Sequence, residues 1–589
     1  MFHSRLVVWL LGFVVAAGAG FGSFYHLYSP PGEEDPEGEA CTDGDCRKPD
    51  ESLSLPGSER AYLWDIEHGG NLLVAHGFGP LTAALRQADA PALLALCGED
   101  FRGQTLRAPR EVAWRSDWLN VVRQMDGGQP PLPLDRGQFV ERLLDYRRCF
   151  ATEPKVKLSL MKLSPVRRQD LDGPWQGTCQ LRLWGEKAPG QPAEVIAYLS
   201  YQVPRPTRQR LDQGGWLTTC AIEQSQTGHA RSFLSREVAA ERGINVAALH
   251  DNWKGGPEHI FTGGVYLCDF DRDGILDVLI TDLNGNFLYK GLPDGRFRDV
   301  TEEMGLPRRC PIPPDRPYAA AFIDIDGDGW EDLILYRSVY RNEGGQRFTN
   351  VTARCKLGLP EEAVGFAVAD YDRDGRPDVY VVLKGTARWD GFLGDKGGMG
   401  NHLWRNKGNW EFEDVTEMAG AGGGQRSAFT AVWLDANNDG WPDLYVPNEF
   451  GNGVLLINQG NGTFKEHSLT PGPSDYATMG VTAGDVDNDG NIDLYLANMY
   501  SKAGKRVFGN LRPDTYPPGV MTQLRTFVEG SQLHRNKGNL EFEQKGKEWQ
   551  VADCGWPHGA ALIDLDNDGW LDLHATAGFM SRDRTKPDG

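Results

Sequence analysis

The phrase Asp-x-(Asp/Asn)-x-Asp-Gly-x-x-Asp occurs six times between residues 269 and 572, and nothing else in the chain restricts its fold so tightly. The ligand-type positions are Asp269, Asp271, Asp273 and Asp277 in the first copy, then Asp324, Asp326, Asp328 and Asp332 in the second. The third has Asp370, Asp372, Asp374 and Asp378, and the fourth Asp435, Asn437, Asp439 and Asp443. The fifth has Asp485, Asp487, Asp489 and Asp493, and the sixth Asp564, Asp566, Asp568 and Asp572. Each copy runs into an apolar strand, as in Asp332-Leu-Ile-Leu and Asp493-Leu-Tyr-Leu. Six copies in one order mean a repeat architecture with one candidate metal site per repeat.

Hard divalent cations take oxygen ligands, and Ca²⁺ takes about six to eight of them at roughly 2.3–2.6 Å. Alternate side chains of a tight loop converge, so positions one, three and five point at one centre. The invariant Gly at position six (Gly274, Gly329, Gly375, Gly440, Gly490, Gly569) allows the positive φ of a sharp turn. Position nine, always Asp, is expected to close the shell, and position seven to offer its carbonyl. An EF-hand would need Glu at position twelve and flanking helices. Position twelve is Ile280, Leu335, Val381, Val446, Leu496 and Ala575, each in a strand pattern, so that reading fails. No Cys or His stands at a ligand position, which excludes soft metals. The loops hold 23 acids in a chain of net charge −21, and six calcium ions would bring it to −9. Such a surface is unsuited to nucleic acid.

A small residue stands five positions before each loop (Gly264, Ala319, Gly365, Thr430, Gly480, Gly559), and a second phrase follows it. Examples are Tyr340-Arg-Asn-Glu-Gly with Phe348-Thr-Asn-Val-Thr, and Trp404-Arg-Asn-Lys-Gly with Phe412-Glu-Asp-Val-Thr. Each unit reads strand, loop, strand, strand, turn, strand, which predicts four-stranded propeller blades. The long gaps hold inserts at about 384–401 and 499–530 that read as rim loops.

The loop after a Gly-bearing strand resembles the FG-GAP/VCBS repeat of integrin α-subunit propellers. The added Arg-Asn-x-Gly and Phe-x-Asp-Val-Thr phrases resemble the cartilage acidic protein family. The resemblance covers about 233–580 and implies a calcium-bound propeller that binds partners, with no known catalytic role. Six blades follow from the count and seven from the resemblance. The sixth copy lacks room for its own last strands. Phe233-Leu-Ser-Arg-Glu-Val resembles a blade ending, so the segment near 233–240 is expected to complete the last blade against 560–580.

The expected fold class is therefore mainly β: a calcium-binding β-propeller over 231–589, preceded by a small α+β domain over 60–230 and an N-terminal transmembrane or signal segment over 1–28. Residues 6–25 carry no charge and suit either an uncleaved anchor or a cleaved signal. Residues 29–59 read as an acidic, Pro-rich linker. Helical patterns over 79–96, 111–124 and 136–150 precede alternating strands at Val156/Leu158, Cys179/Leu181, Val195/Ala197 and 216–223. That element order resembles the nuclear-transport-factor-like cone (SnoaL type), which implies a ligand pocket. Ten Cys in an exported chain make disulfides an expectation, Cys179 and Cys220 lying on strands of one sheet and Cys41 and Cys46 flanking a turn.

The twelve His form no nucleophile motif; His68 and His558 read as turn or packing residues, and Trp at position seven of three loops as blade packing or a sugar platform. Two functions compete. One is an exported, membrane-tethered, extracytoplasmic binding or adhesion module for a protein or glycan, with up to six structural Ca²⁺ and no enzymatic role. The alternative is an exported propeller enzyme acting on polysaccharide, a lyase or hydrolase.

Overall fold

A helix opening at Gly57 begins the computed structural model's description of the chain, which covers residues 57–250, 263–309, 319–384, 399–424, 426–469, 478–498, 500, 502–516, 518–555 and 557–577. The candidate membrane segment, Cys41, Cys46 and most of the 384–401 insert lie outside these residues. Among the described residues no helix is long and apolar enough to cross a membrane. The chain divides into two compact units: one runs through Glu237 and includes Lys502–Tyr516, and the other takes Val238–Ser501 and the chain from Pro517.

The first unit starts with α1 (Gly57–Leu72), a π-helical turn at Leu73–Phe78, α2 (Gly79–Gln87) and α3 (Ala90–Leu96). Asp89 caps α3 by accepting the Ala92 N–H. A capping box between Asp135 and Gln138 starts α4 (Arg136–Arg147). Eight strands form one sheet: β1 (Cys97–Thr105), β2 (Glu111–Arg115), β3 (Leu119–Gln124), β4 (Leu132–Leu134), β5 (Lys155–Pro165), β6 (Pro174–Ala188), β7 (Gln191–Pro204) and β8 (Leu217–Ala230). The order is β2-β3-β8-β7-β6-β5, with β1 parallel to β8 and antiparallel to β4. Burial alternates along β7, as a sheet with one packed face requires.

Three expectations are corrected here. Residues 111–124 are the hairpin β2–β3 instead of a helix, because their apolar residues sit on a mostly exposed edge. The cone has no ligand chamber: Phe78, Leu81, Phe139, Leu143, Tyr201 and Trp216 leave a cavity of about 20 Å³, room for about one water. The described cysteines are free. Cys179 faces Leu199 across one edge of β7 and Cys220 faces Tyr201 across the other. Two strand spacings make about 9 Å, beyond the ~7 Å reach of a disulfide.

The insert near 499–530 is also not loop: it holds α5 (Lys502–Asn510) and α6 (Pro518–Glu529). The α5 helix belongs to the first unit. Its Arg506 donates to both carboxylate oxygens of Glu67 on α1, at 2.8 and 2.5 Å, and both side chains are 8% exposed. Asn510 donates to the Leu163 carbonyl and accepts on its own carbonyl from Arg168.

The second unit has a propeller arrangement. Five antiparallel four-stranded sheets follow in sequence order, each with its first strand running into a loop and its second beginning at position nine of that loop. The sixth loop joins only two strands, Pro557–Ile563 and Asp572–Ala577, so five complete blades and one partial sheet are described. Apolar clusters lie between successive sheets, as with Phe270, Leu279, Leu333 and Phe348 between the first and second. The same holds for Ile334, Val379, Val381 and Phe412 between the second and third. Residues 233–240 form no strand, which corrects the expected closure, and Phe233 and Leu234 are exposed. The blade-ending turn is nonetheless present: Arg242 N–H reaches Val238 O and Ile244 N–H reaches Ala239 O, as Met304 reaches Val300 and Leu306 reaches Thr301. The first blade's Phe297 N–H bonds Arg242 O, just as the second blade's Phe348 N–H bonds Met304 O.

Candidate metal centres

All six loops share one hydrogen-bond frame. The position-one carboxylate accepts the N–H of positions five and six, as Asp269 does from Asp273 at 3.0 Å and Gly274 at 2.9 Å. The equivalents are Asp324, Asp370, Asp435, Asp485 and Asp564. Position five accepts the N–H of position seven, as Asp273 does from Ile275. Position four takes a left-handed conformation (Arg272, Gly327, Arg373, Asn438, Asn488, Asn567), which turns the loop back on itself.

Position nine does more than close a shell. Asp332 accepts the Ile325 N–H at 3.0 Å on one oxygen and the Asn342 N–H at 2.8 Å on the other. Asp277, Asp378, Asp443 and Asp493 bind their own loop and third strand in the same way. These side chains are 0–1% exposed. Burial, reinforced by the other loop acids and opposed by the two N–H donors, pushes Asp332 and Asp378 up to about 7, and Asp277, Asp443 and Asp493 up to about 6.

The loops do bring carboxylates together. Positions one, three and five meet within 4.8 Å in the first and third loops, and positions one, three and nine in the second, fifth and sixth. Loop four shows no such cluster among the described residues: its position three is Asn437, whose amide donates to Asp439 at 2.9 Å. One oxygen each of Asp271, Asp372 and Asp487, all at position three, is shut off from solvent and accepts no hydrogen bond. Such an oxygen is costly to leave unpaired. A hard divalent cation is the group these all-oxygen donor sets fit.

Two residue types were not assigned a role by the sequence. Lys290, Arg341, Arg405 and Arg535 reach from the third strand to the acids of positions three and five. The Asn that follows Arg in three blades and Ile457 in the fourth is a latch between blades: the Nδ2 amides of Asn342, Asn406, Asn458 and Asn536 donate at 2.8–2.9 Å to the carbonyls of Phe270, Ile325, Tyr371 and Ala436 in the preceding blade's loop. The repeated Arg-Asn-x-Gly phrase was the available signal. Neighbouring loops are stitched together too, with Arg272 over the Trp330 ring, Arg373 over Trp441, and Asn438 bonded to Asn491. The position-seven indoles Trp330 and Trp441 thus pack against the preceding loop, while Trp570 is 51% exposed.

Residues 269–335, 336–381, 388–446 and 435–496 match the family model described as FG-GAP-like repeat. These are FG-GAP repeats. The FG-GAP region is also similar to cartilage acidic protein 1 of Mus musculus, 24% identical over 331 residues, covering 53% of this chain and 47% of the relative. The Xenopus tropicalis protein of the same name is 23% identical over 385 residues, covering 53% and 56%. The chain spans about half the length of the curated relatives it matches. A solved structure, the V. cholerae biofilm matrix protein Bap1, aligns at 14% identity and a TM-score of 0.26 over 50% of this chain and 40% of its own.

Outside the FG-GAP repeats, the first unit carries an open concavity of about 850 Å³ lined by Asp65, His68, Asp172, Trp175 and Arg205 among others. Arg205 pairs there with Asp172 and Asp65.

Proposed function

We propose that this chain is an extracytoplasmic, membrane-tethered FG-GAP propeller that binds a protein or glycan, with Ca²⁺ as a structural element of its loops. The observation that carries the calcium reading is the repeated unpaired oxygen at position three. Calcium would be held by positions one and three together with position five or position nine, and position nine also ties the loop to the third strand; when bound the ion supplies positive charge that lets buried carboxylates stay ionised. Extracellular sites of comparable chemistry bind at about 10⁻⁴–10⁻³ M. The test is thermal melting of the full chain in millimolar Ca²⁺ and in excess EDTA. A fall of several degrees in EDTA supports the reading, and identical curves defeat it. A glycan and protein array probed with and without Ca²⁺ tests the ligand class, with the half-exposed Trp570 as the position-seven ring most open to sugar stacking.

The rival polysaccharide enzyme has the concavity around His68 and Arg205 to stand on. Turnover of a polysaccharide that is abolished by both His68→Ala and Arg205→Ala would move the function there.

A further inference from the structure

In the five loops that have a described third strand, the cation on that strand and the acid at position three are present or absent together. In loop one, Lys290 pairs with the outer oxygens of Asp271 and Asp273. In loop two, Arg341 reaches Asp326 at 2.8 Å and Asp328 at 2.9 Å. Arg405 reaches Asp372 at 2.6 Å and Asp374 at 3.3 Å in loop three. Arg535 pairs with Asp487, and at 3.1 Å with Asp489, in loop five. Loop four breaks the pattern at two places. Position three is Asn437, and the strand position that holds Lys or Arg in the other four blades is Ile457. The donor to the outer oxygen of position five, Asp439, is then the Asn437 amide itself, at 2.9 Å.

The four ligand-type positions and the strand residue therefore sum to a charge of −3 in loops one, two, four and five. Loop three adds a second cation, Arg376, which touches Asp374. In the three loops with an unpaired oxygen, the cation occupies the opposite oxygen of that same position-three carboxylate. The carboxylate is thus clamped from outside with its free oxygen held away from the clamp.

We propose that Lys290, Arg341, Arg405 and Arg535 are built-in counter-cations that position the position-three carboxylate for a divalent ion and offset one of the loop's negative charges, and that Asn437 with Ile457 is the same device with both charges removed. This rests on the calcium reading. It predicts that neither member can be changed alone without altering the affinity of its loop.

The experiment is a double-mutant cycle in loop four of the full chain: Ile457→Arg, Asn437→Asp, and both together. Affinity is read as displacement by Ca²⁺ of Tb³⁺ luminescence sensitised by Trp441, taken as the difference from the same proteins carrying Trp441→Phe. One unit charge placed a few ångströms from the ion changes affinity by about tenfold. Ile457→Arg is expected to weaken calcium about tenfold, Asn437→Asp to tighten it, and the double variant to return within about threefold of wild type. A mirror cycle in loop two, Arg341→Ile with Asp326→Asn and Trp330 as sensitiser, gives the reversed order and covers the case in which Ile457→Arg does not fold. No effect of the cation in either cycle, or a double variant that stays more than about threefold from wild type, overturns the inference while the melting shift in EDTA remains. Loss of that shift in the wild type overturns the calcium reading itself.

Discussion

The two units of this protein solve the problem of burial in opposite ways. The α+β unit is held by one large apolar cluster, from Ile66 and Leu73 through Leu181 and Val195 to Ile222. It admits one buried ion pair, Arg506 with Glu67. The propeller unit divides its apolar residues into small clusters between sheets and places fully buried polar groups between them. Asp332, Asp378, Asp443 and Asp493 hold the blades, and Asn342, Asn406, Asn458 and Asn536 hold blade to blade. Hydrophobic burial is non-directional, so it suits a single core. A repeated interface needs register, and buried hydrogen bonds with one correct geometry supply it.

If that contrast is right, removing a polar anchor should hurt the propeller more than any single change hurts the other unit. Asp378→Ala strands the N–H groups of Tyr371 and Asn406 and takes a carboxylate from its loop. Each stranded buried donor costs about 1–3 kcal/mol, so the variant should lose about 2–6 kcal/mol in Ca²⁺, seen by hydrogen exchange as opening of the third blade first. In the α+β unit, Glu67→Ala leaves Arg506 buried without its partner and should cost about 3–5 kcal/mol, whereas Glu67→Met with Arg506→Leu should be nearly neutral. A double variant as damaged as the single would show that this unit also depends on polar specificity. Asn406→Ala removes the latch to Ile325 and should cost about 2–3 kcal/mol. Protection should be lost in both the second and third blades. Loss confined to the third would mean that the latch is not what couples them.

The same contrast decides what could be foreseen from sequence. The loops were legible because the hydrogen bonds that shape each one lie within its own nine residues, and the strand order because a repeat writes the same flanking pattern out each time. What the Asn of Arg-Asn-x-Gly does was not legible, since its partner lies 72 residues away for Asn342 and 100 for Asn536. The second role of position nine, accepting a third-strand N–H, was not legible either, since its partner stands 10 to 43 residues on, outside the loop. Residues 111–124 misled because Val112, Trp114, Val121 and Val122 sit on an exposed hairpin, where no buried face enforces a period of two. The α5 helix is the extreme case: Arg506 and Glu67 are 439 residues apart, and nothing local marks either as buried.

Acid offers the finest test, because the propeller holds buried groups that respond to pH in opposite directions. His534 is fully buried on the third strand of the fifth blade, where the second and third blades have Tyr340 and Trp404. One ring nitrogen meets Gln532 at 2.9 Å and the other has no partner. Burial holds its pKa down at about 4, below the ordinary 6.5. The unfolded chain therefore takes up a proton between pH 6.5 and 4 that the folded chain refuses, and stability falls as pH falls through that window. The position-nine acids act with the other sign: raised to about 6–7, they take up protons in the folded state first and favour it as pH drops. Subtracting the curve of His534→Leu from that of the wild type cancels the acids and leaves the histidine. The difference should be flat above pH 7 and grow to about 1–2 kcal/mol at pH 5. Parallel curves would mean that the blade admits water to this ring on acidification, and that its burial is looser than that of the aspartates around it.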